Sequence, residues 1–404
     1  MVKNYFTELT KFVREYGIKR TVRVLYENKL QVIIRYIVYH TLSKKLLDII
    51  VIESHDDFDS NGGALYKYLI ENEYNEHYKI VLLLHHKLCR KLPKNVVGLP
   101  LMGPSIRKAY YTCKAKYLFA DDVFTPKIND NQISIYMTHG PVPLKNTNGI
   151  IVISPNTNYC LSPSSFYDKY QKKAFTINNS DTKMLHLGFP CLDELFNNDE
   201  GDLHKLTTKS FSKVIIWMPT FRVGGGCNRS DVDYNVQLGV PLLASMQQYG
   251  QLNDYLTDHN ILLIIKIHPK QELSSLKITS KSNIIVLTAD DVKNKGVNNY
   301  RLYKDMDAMI SDYSTSSFDF LNLNRPICYD FSDFEHYKLG LIMNNPDEFM
   351  PGVKITDFAG LLAFLQDVSD GNDRYVKARE NLISNLFEHH DGNSCKRIVE
   401  YLKI

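Results

Sequence analysis

The chain has 404 residues, 44% of them hydrophobic and 23% charged, with a net charge of +3. That length exceeds one ordinary core and suits two domains of roughly 200 residues each, while the near balance of charge argues against a nucleic-acid binder, which gathers Lys and Arg on one face. The seven cysteines, at 89, 113, 160, 191, 227, 328 and 395, include no C-x-x-C pair, so free thiols in a reducing cytosol are expected rather than a disulfide framework or a zinc site.

Residues 1–45 carry ten basic side chains, among them Lys11, Arg14, Lys19, Arg20, Arg23 and Arg35, against the acidic Glu8, Glu15 and Glu27. Apolar residues recur at Phe6, Leu9, Val13 and Tyr16, and again at Leu30, Ile33, Ile34, Ile37 and Val38, in helical periodicity. This reads as a basic amphipathic helical region that either lies on an anionic membrane surface or packs as scaffold. The opening Met1 to Phe6 lacks a basic start joined to an apolar core, so no secretory leader is expected. No apolar run approaches the roughly 20 residues that span a bilayer.

Short apolar runs then alternate with helix-like segments. Strands are expected at Leu47–Glu53, Tyr78–His85, Lys116–Ala120, Ile133–Met137 and Ile150–Ser154, with helices at Gly63–Asn72 and Ile106–Lys114. The rhythm resumes with strands at 214–218, 261–267, 284–287, 308–311 and 327–329, and helices near Pro241–His259 and from Ser316. Strands separated by helix-length segments predict parallel sheets built from β-α-β units. The polar cluster Asn197 to Asp202 marks the junction, giving an α/β domain over 46–200 and another over 201–404.

Four strand ends share one pattern. Ile133–Met137 leads to Thr138-His139-Gly140, with Lys145 beyond; Val214–Met218 leads to Pro219-Thr220-Phe221-Arg222 and Gly224-Gly225-Gly226. Ile261–Ile267, which includes Lys266, ends in His268-Pro269-Lys270, and Ala308–Ile310 runs into Ser311-Asp312-Tyr313-Ser314-Thr315-Ser316-Ser317-Phe318-Asp319. In open α/β sheets ligands bind outside the carboxyl ends of the strands. Backbone N–H groups at a helix start, beside Ser and Thr hydroxyls, suit phosphate oxygens. His139 fits a general base, and Arg222 offers a fork of donors for phosphate charge. Asp312 and Asp319 fit the organisation of the Ser-rich turn better than a metal. Asp57-Phe58-Asp59-Ser60-Asn61-Gly62 imitates half of a calcium loop, but the twelfth position is Tyr68 rather than Glu. It reads better as a loop that opens a helix at Asn61.

His139-Gly140, Pro219 to Arg222, Lys266-Ile267-His268-Pro269 and Ser311 to Asp319, in this order, resemble the CDP-glycerol:glycerophosphotransferase family, the teichoic-acid and capsule polyol-phosphate transferases. Weaker matches at Asn61, Gly188-Phe189-Pro190, Arg325-Pro326, Tyr329-Asp330 and Asp391-Gly392 extend the likeness from about residue 48 to the C-terminus. The loop after His139 is one residue longer than is usual there. The resemblance implies two Rossmann-like doubly wound domains in a GT-B type arrangement. It implies transfer of glycerol phosphate from CDP-glycerol, with CDP-ribitol the alternative donor, to a lipid-linked saccharide or a growing polyol-phosphate polymer, with release of CMP.

The implied roles are catalysis for His139 and His268, and donor pyrophosphate or nucleotide binding for Thr220, Arg222, Lys266, Ser314, Thr315, Ser316 and Ser317. Gly140, Asp312 and Asp319 support, while Asn61 and Lys145 lie on the acceptor side. No metal and no cofactor are implied, and the expected location is cytoplasmic and peripheral on the inner face of the cell membrane. The alternatives are a GT-B glycosyltransferase using a nucleotide sugar and a non-catalytic nucleotide- or glycan-binding subunit.

Overall fold

The computed structural model describes residues 13–14, 17–88, 91–122, 125–146, 152–178, 181–224, 232 and 236–404. Lys11, Gly225-Gly226 and the first part of the Ile150–Ser154 run lie outside the described residues. The chain forms two compact units. The first comprises residues 1–139, 153–161 and 179–183, and the second comprises 140–152, 162–178 and 184–404. Relative to a cut near residue 200, this division assigns the segment after His139 to the second unit.

Seven strands build the first sheet: β1 (Leu47–Glu53), β2 (Lys79–Leu84), β3 (Val96–Pro100), β4 (Ala115–Ala120), β5 (Ile133–Tyr136), β6 (Tyr159–Leu161) and β7 (Lys183–Leu185). Their spatial order is β3-β2-β1-β4-β5-β6-β7, and β3 through β6 pair in parallel. Near-continuous apolar runs such as Ile80–Leu84 are buried, as expected for parallel strands covered on both faces. Ile49, Val51, Val81, Leu83 and Leu118 form one core layer of this sheet.

The second sheet has β8 (Lys213–Met218), β9 (Ile261–Lys266), β10 (Ile284–Leu287), β11 (Ala308–Ser311), β12 (Ile327–Asp330) and β13 (Val353–Ile355). The order is β10-β9-β8-β11-β12-β13, parallel throughout. Ile215, Trp217, Leu263, Ile265 and Ile310 face the helices Met246–Asp258 and Phe358–Asp370 through Leu252, Leu256, Leu361 and Leu365. Side-chain caps start these helices: Ser245 accepts the N–H of Gln248, and Asp357 accepts that of Gly360.

Both sheets reverse their winding once. In the first, the chain proceeds outward from β1 to β3 and returns to place β4 beside β1; in the second, it proceeds from β8 to β10 and returns with β11 beside β8. Such switch points leave a crevice at the carboxyl ends of the two central strands. The first is flanked by Glu53-Ser54-His55 and Asp121-Asp122, the second by Pro219 to Arg222 and Asp312 to Ser317.

Close approach at the first switch point depends on glycine. The helix Ser60–Glu71 begins with Phe58 and Ser60 both at positive φ. A Cβ at Gly62 would lie 2.5 Å from Ser54 Oγ, and one at Gly63 would lie 2.1 Å from the Phe58 carbonyl carbon. Two expectations need correction, and four strands were not anticipated. Residues 152–154 are not extended into a strand, because Thr157 N–H turns back to Ser154 O and the pairing strand starts at Tyr159. The helix near Pro241 starts later, at Met246 after its Ser245 cap. The strands β3, β6, β7 and β13 are too short, or too interrupted by Gly and Pro, to announce themselves as apolar runs.

Candidate active site

In the second unit, a buried charge lattice ties three strand ends together. Arg222, past β8, is 1% exposed. Its Nη1 donates to Asp312 Oδ2 at 2.8 Å and to the Thr220 carbonyl at 2.6 Å. Its Nε and Nη2 donate to the two oxygens of Asp333 at 2.5 and 3.1 Å. Asp312, past β11, also accepts the Thr220 N–H and hydroxyl at 2.8 and 2.7 Å. Tyr313 donates its hydroxyl to Asp333 at 2.6 Å, and Gln271 accepts the Arg222 N–H at 3.0 Å. Burial alone would push the Arg222 guanidinium down, but Asp312, Tyr313 and Asp333 hold it well above its usual value. Burial likewise raises the Tyr313 phenol, despite Arg222 beside it.

Arg222 is therefore not an open fork waiting for phosphate. Its guanidinium donates to two carboxylates and a carbonyl, so it acts as a strut between the strand ends. Asp333 and Gln271, its partners, escaped the sequence reading. The signal was present, since Asp330-Phe331-Ser332-Asp333 follows a buried strand in the same way as the other polar ends.

The Ser-rich turn sits on this strut. Ser314 and Thr315 are half-buried; Ser316 donates its hydroxyl to Ser314 Oγ at 2.9 Å and Ser317 donates to Ser314 O at 2.9 Å. Asp319, further into the helix Ser316–Leu321, is buried and its carboxyl is driven well up by burial. A Cβ added to Gly140 would lie 3.0 Å from Thr315 Oγ1, so the residue after His139 comes directly against this turn.

His268 follows Lys266, the buried last residue of β9. The N–H of Lys270 donates to His268 Nδ1 at 3.0 Å, which places the proton of the neutral ring on Nε2 and makes that nitrogen a donor. The His268 ring lies 5.1 Å from that of Phe221, and Lys145 Nζ lies 6.0 Å from the same Phe221 ring. Lys145 is anchored by its bridge to Leu341 and by the Ile342 N–H to Leu144 O bond at 2.9 Å. Within the second unit, Lys145 and His268 thus both lie beside Phe221. The longer loop is accommodated by burial of Val142 and Leu144 and by a hydrogen bond from the Tyr167 hydroxyl to Pro143 O.

In the first unit, His139 follows β5 and is exposed. Thr138 before it holds φ 62. Asn61 is fully buried, and its amide donates to Met137 O at 3.1 Å and to Thr138 O at 2.7 Å. Ser60 Oγ donates to His139 O at 3.1 Å. Asn61 is thus a brace for the backbone before His139 rather than a residue projecting toward an acceptor. Around it stand groups the sequence reading passed over: Glu53, His55 and His85. Glu53 is buried and accepts the N–H groups of Asp121 and Asp122 at 3.2 and 3.1 Å. Burial, then the nearby Glu53 charge, pushes the Asp121 carboxyl well up, against a hydrogen bond from the Gly62 N–H. Asp57, part of the calcium-like loop, instead accepts the N–H groups of His85 and His86 at 2.6 and 2.9 Å.

The profile of a family described as CDP-Glycerol:Poly(glycerophosphate) glycerophosphotransferase matches residues 34–403. The chain is 26% identical over 243 residues to the teichoic acid glycerol-phosphate primase of Bacillus subtilis, an alignment covering 57% of this chain and 54% of that protein. It is 24% identical over 373 residues to the teichoic acid ribitol-phosphate polymerase TarK of Staphylococcus aureus, covering 87% and 67%. The chain thus spans just over half the length of the first of these relatives. A solved structure of the wall teichoic acid polymerase TagF matches with a TM-score of 0.70 at 20% identity over 92% of each chain. The two share a fold class, two Rossmann-like parallel sheets of the GT-B type.

The buried lattice makes a pH prediction at Asp330, the last residue of β12. Burial raises its carboxyl to about 7 from 3.8, opposed by hydrogen bonds from Ser332 and by Arg222. A raised carboxyl favours the folded state fully below its unfolded pKa of 3.8, and that contribution is lost as pH rises through about 7. Asp330→Asn should therefore flatten stability across this window and be more stable than the parent at about pH 8, by on the order of 4 kcal/mol at most. Urea unfolding at a series of pH values checks this; parallel pH profiles for the two proteins would contradict it.

Proposed function

Because the chain belongs to the CDP-Glycerol:Poly(glycerophosphate) glycerophosphotransferase family, we propose that it transfers a polyol phosphate, glycerol phosphate in the first instance, from a CDP-polyol to an acceptor hydroxyl. The observation that carries this reading is the placement of all four motifs, at His139, Thr220, His268 and Ser314, just past the carboxyl ends of β5, β8, β9 and β11. The acceptor oxygen attacks the phosphorus that bears the polyol. A new P–O bond forms, the pyrophosphate P–O bond breaks, and CMP leaves with the bonding electrons. His139 takes the proton of the attacking hydroxyl. Such a transfer needs positioning and charge stabilisation more than covalent help from the protein. Lys266, the Nε2 proton of His268, Lys145 and the Ser314–Ser317 turn are suited to the donor phosphates, while Arg222, Asp312 and Thr220 fix that turn. Relatives named for glycerol phosphate and for ribitol phosphate are similarly distant, so CDP-ribitol is the second donor to test. The acceptor would be a lipid-linked saccharide or a growing polyol-phosphate chain.

A lipid-borne acceptor accords with the N-terminal helices. Among the described residues no helix is long and apolar enough to cross a membrane. The inward side of the helix Leu30–Thr41 carries half-buried Ile34 and Val38 beside two polar anchors: Gln31 exchanges hydrogen bonds with the Ser105 backbone, and Arg35 donates to Pro126 O and Thr112 O. Its outward side is apolar, with Val32 63%, Ile33 56%, Tyr36 60% and Ile37 54% exposed. Ile18, Val22 and Tyr26 continue the apolar exposure upstream, alongside exposed Lys19, Arg23 and Lys29. Apolar side chains flanked by cations match the interface of an anionic bilayer, so we assign this face to peripheral attachment at the inner membrane surface.

Two experiments test these readings. Mass analysis of the nucleotide released from CDP-glycerol, CDP-ribitol and nucleotide sugars should find CMP from a CDP-polyol only; release of UDP, or sugar transfer alone, would replace the reading with a glycosyltransferase. In the same assay His139→Ala should lower turnover roughly 10²–10⁴-fold while donor affinity stays within a few fold. For the membrane face, the full chain should pellet with anionic vesicles, less so as salt rises, and Ile33→Asp with Ile37→Asp should abolish pelleting without lowering the unfolding midpoint. Equal pelleting of both proteins would remove this face from membrane binding.

A further inference from the structure

His55 lies immediately past β1, at the switch point of the first sheet. Its ring stacks on that of His139, with centroids 4.8 Å apart and planes 19° from parallel. Its Nδ1 is 3.2 Å from Asp122 Oδ2. The backbone of Asp122 is held, because its N–H donates to the buried Glu53 carboxylate.

The backbone of His139 is held from several sides, by Ser60 at its own carbonyl and by Asn61 at the two carbonyls before it. None of those bonds sets the orientation of the ring. An exposed imidazole has several staggered χ1 choices and a broad χ2, and a base that samples them all spends little time aligned with an incoming hydroxyl. A second aromatic ring lying flat against it removes most of that freedom. A cation site is the competing use of these residues, since nitrogen and oxygen atoms of His55, Asp122 and His139 lie within 4.8 Å of one another. Face-to-face imidazoles, however, direct their lone pairs along nearly parallel planes, whereas ligands about 2.0–2.2 Å from one zinc ion must converge on it. The stack suits orientation, not coordination.

We propose that His55 is a positioning residue for His139: the His55 ring, with Asp122 at its edge, lies flat against the His139 ring and sets the plane from which His139 works. The inference rests on His139 being the base, but its structural half stands apart from that reading. In His55→Ala the His139 ring loses its stacked neighbour while its backbone braces remain. In His55→Phe a flat ring returns without an ionisable nitrogen beside Asp122.

The test uses the full chain with CDP-glycerol and the acceptor on which parent turnover is measured, plus NMR of the His139 ring protons, identified by their loss in His139→Ala. His55→Ala should move and broaden the His139 signals, lower kcat roughly 10–100-fold, leave KM for CDP-glycerol within about twofold, and keep the unfolding midpoint. His55→Phe should restore most of the parent kcat and ring signals. His55→Ala combined with His139→Ala should be no slower than His139→Ala alone, as expected for residues acting as a unit. Unchanged His139 signals in His55→Ala, or a kcat loss that persists in the His139→Ala background, would overturn the inference; so would failure of His55→Phe to recover activity despite normal folding. Full turnover by His139→Ala would refute the base assignment instead, while the ring signals would still report whether His55 orients that side chain.

Discussion

The site of the second unit depends on one interaction, the enclosure of Arg222 between Asp312 and Asp333. Three charges with almost no exposure are costly to desolvate, several kcal/mol per ion even after relaxation, and only close, saturated geometry offsets that. The contacts of 2.5 to 3.1 Å to both carboxylates supply it. The consequence is positional. Asp312 cannot move without releasing Thr220, and Asp333 cannot move without releasing Tyr313. The ends of β8 and β11, and the chain just past β12, are thereby locked together, and the turn from Ser314 to Ser317 starts from a fixed base. A buried polar lattice of this kind is high in stakes: complete, it rigidifies the site; with one member removed, an unpaired charge is left in the interior.

The two switch points are chemically opposite. The second is rich in donors, with the Nε2 proton of His268, Lys266 at the strand end, and hydroxyls at Thr220 and Ser314 to Ser317. The first is rich in acceptors, with Glu53, Asp121 and Asp122 gathered near His55 and His139. Phosphate oxygens need the former, and removal of a proton from a hydroxyl needs the latter. One fold used twice therefore provides two environments by changing only the residues just past the strand ends.

Much of this was legible in the sequence, for a physical reason. Buried parallel strands are apolar along most of their length, so β1, β10 and β11 can be read with their full limits from Leu47–Glu53, Ile284–Leu287 and Ala308–Ser311. The polar residues after such runs were legible as well: His139, His268 and the Ser-rich turn lie just past the carboxyl ends of β5, β9 and β11. Strands of three residues such as β6 and β13 leave no periodic trace. Arg222 illustrates the other limit: an Arg after a strand looks the same in sequence whether it meets a ligand or two carboxylates, and Asp333, 111 positions away, makes the difference. His55 was obscured by the Asp-rich loop beside it, whose calcium-like spacing drew attention to Asp57 and Asp59.

The most direct measurement of the lattice is a double-mutant cycle on unfolding free energy with Arg222→Met and Asp333→Asn. If the guanidinium and carboxylate act as one buried unit, each single change should cost about 3–5 kcal/mol, and the pair should cost far less than their sum, with a coupling of about 2 kcal/mol or more. Costs that add to within about 0.5 kcal/mol would show that Arg222 and Asp333 act independently, and the strut account of the second switch point would then be wrong.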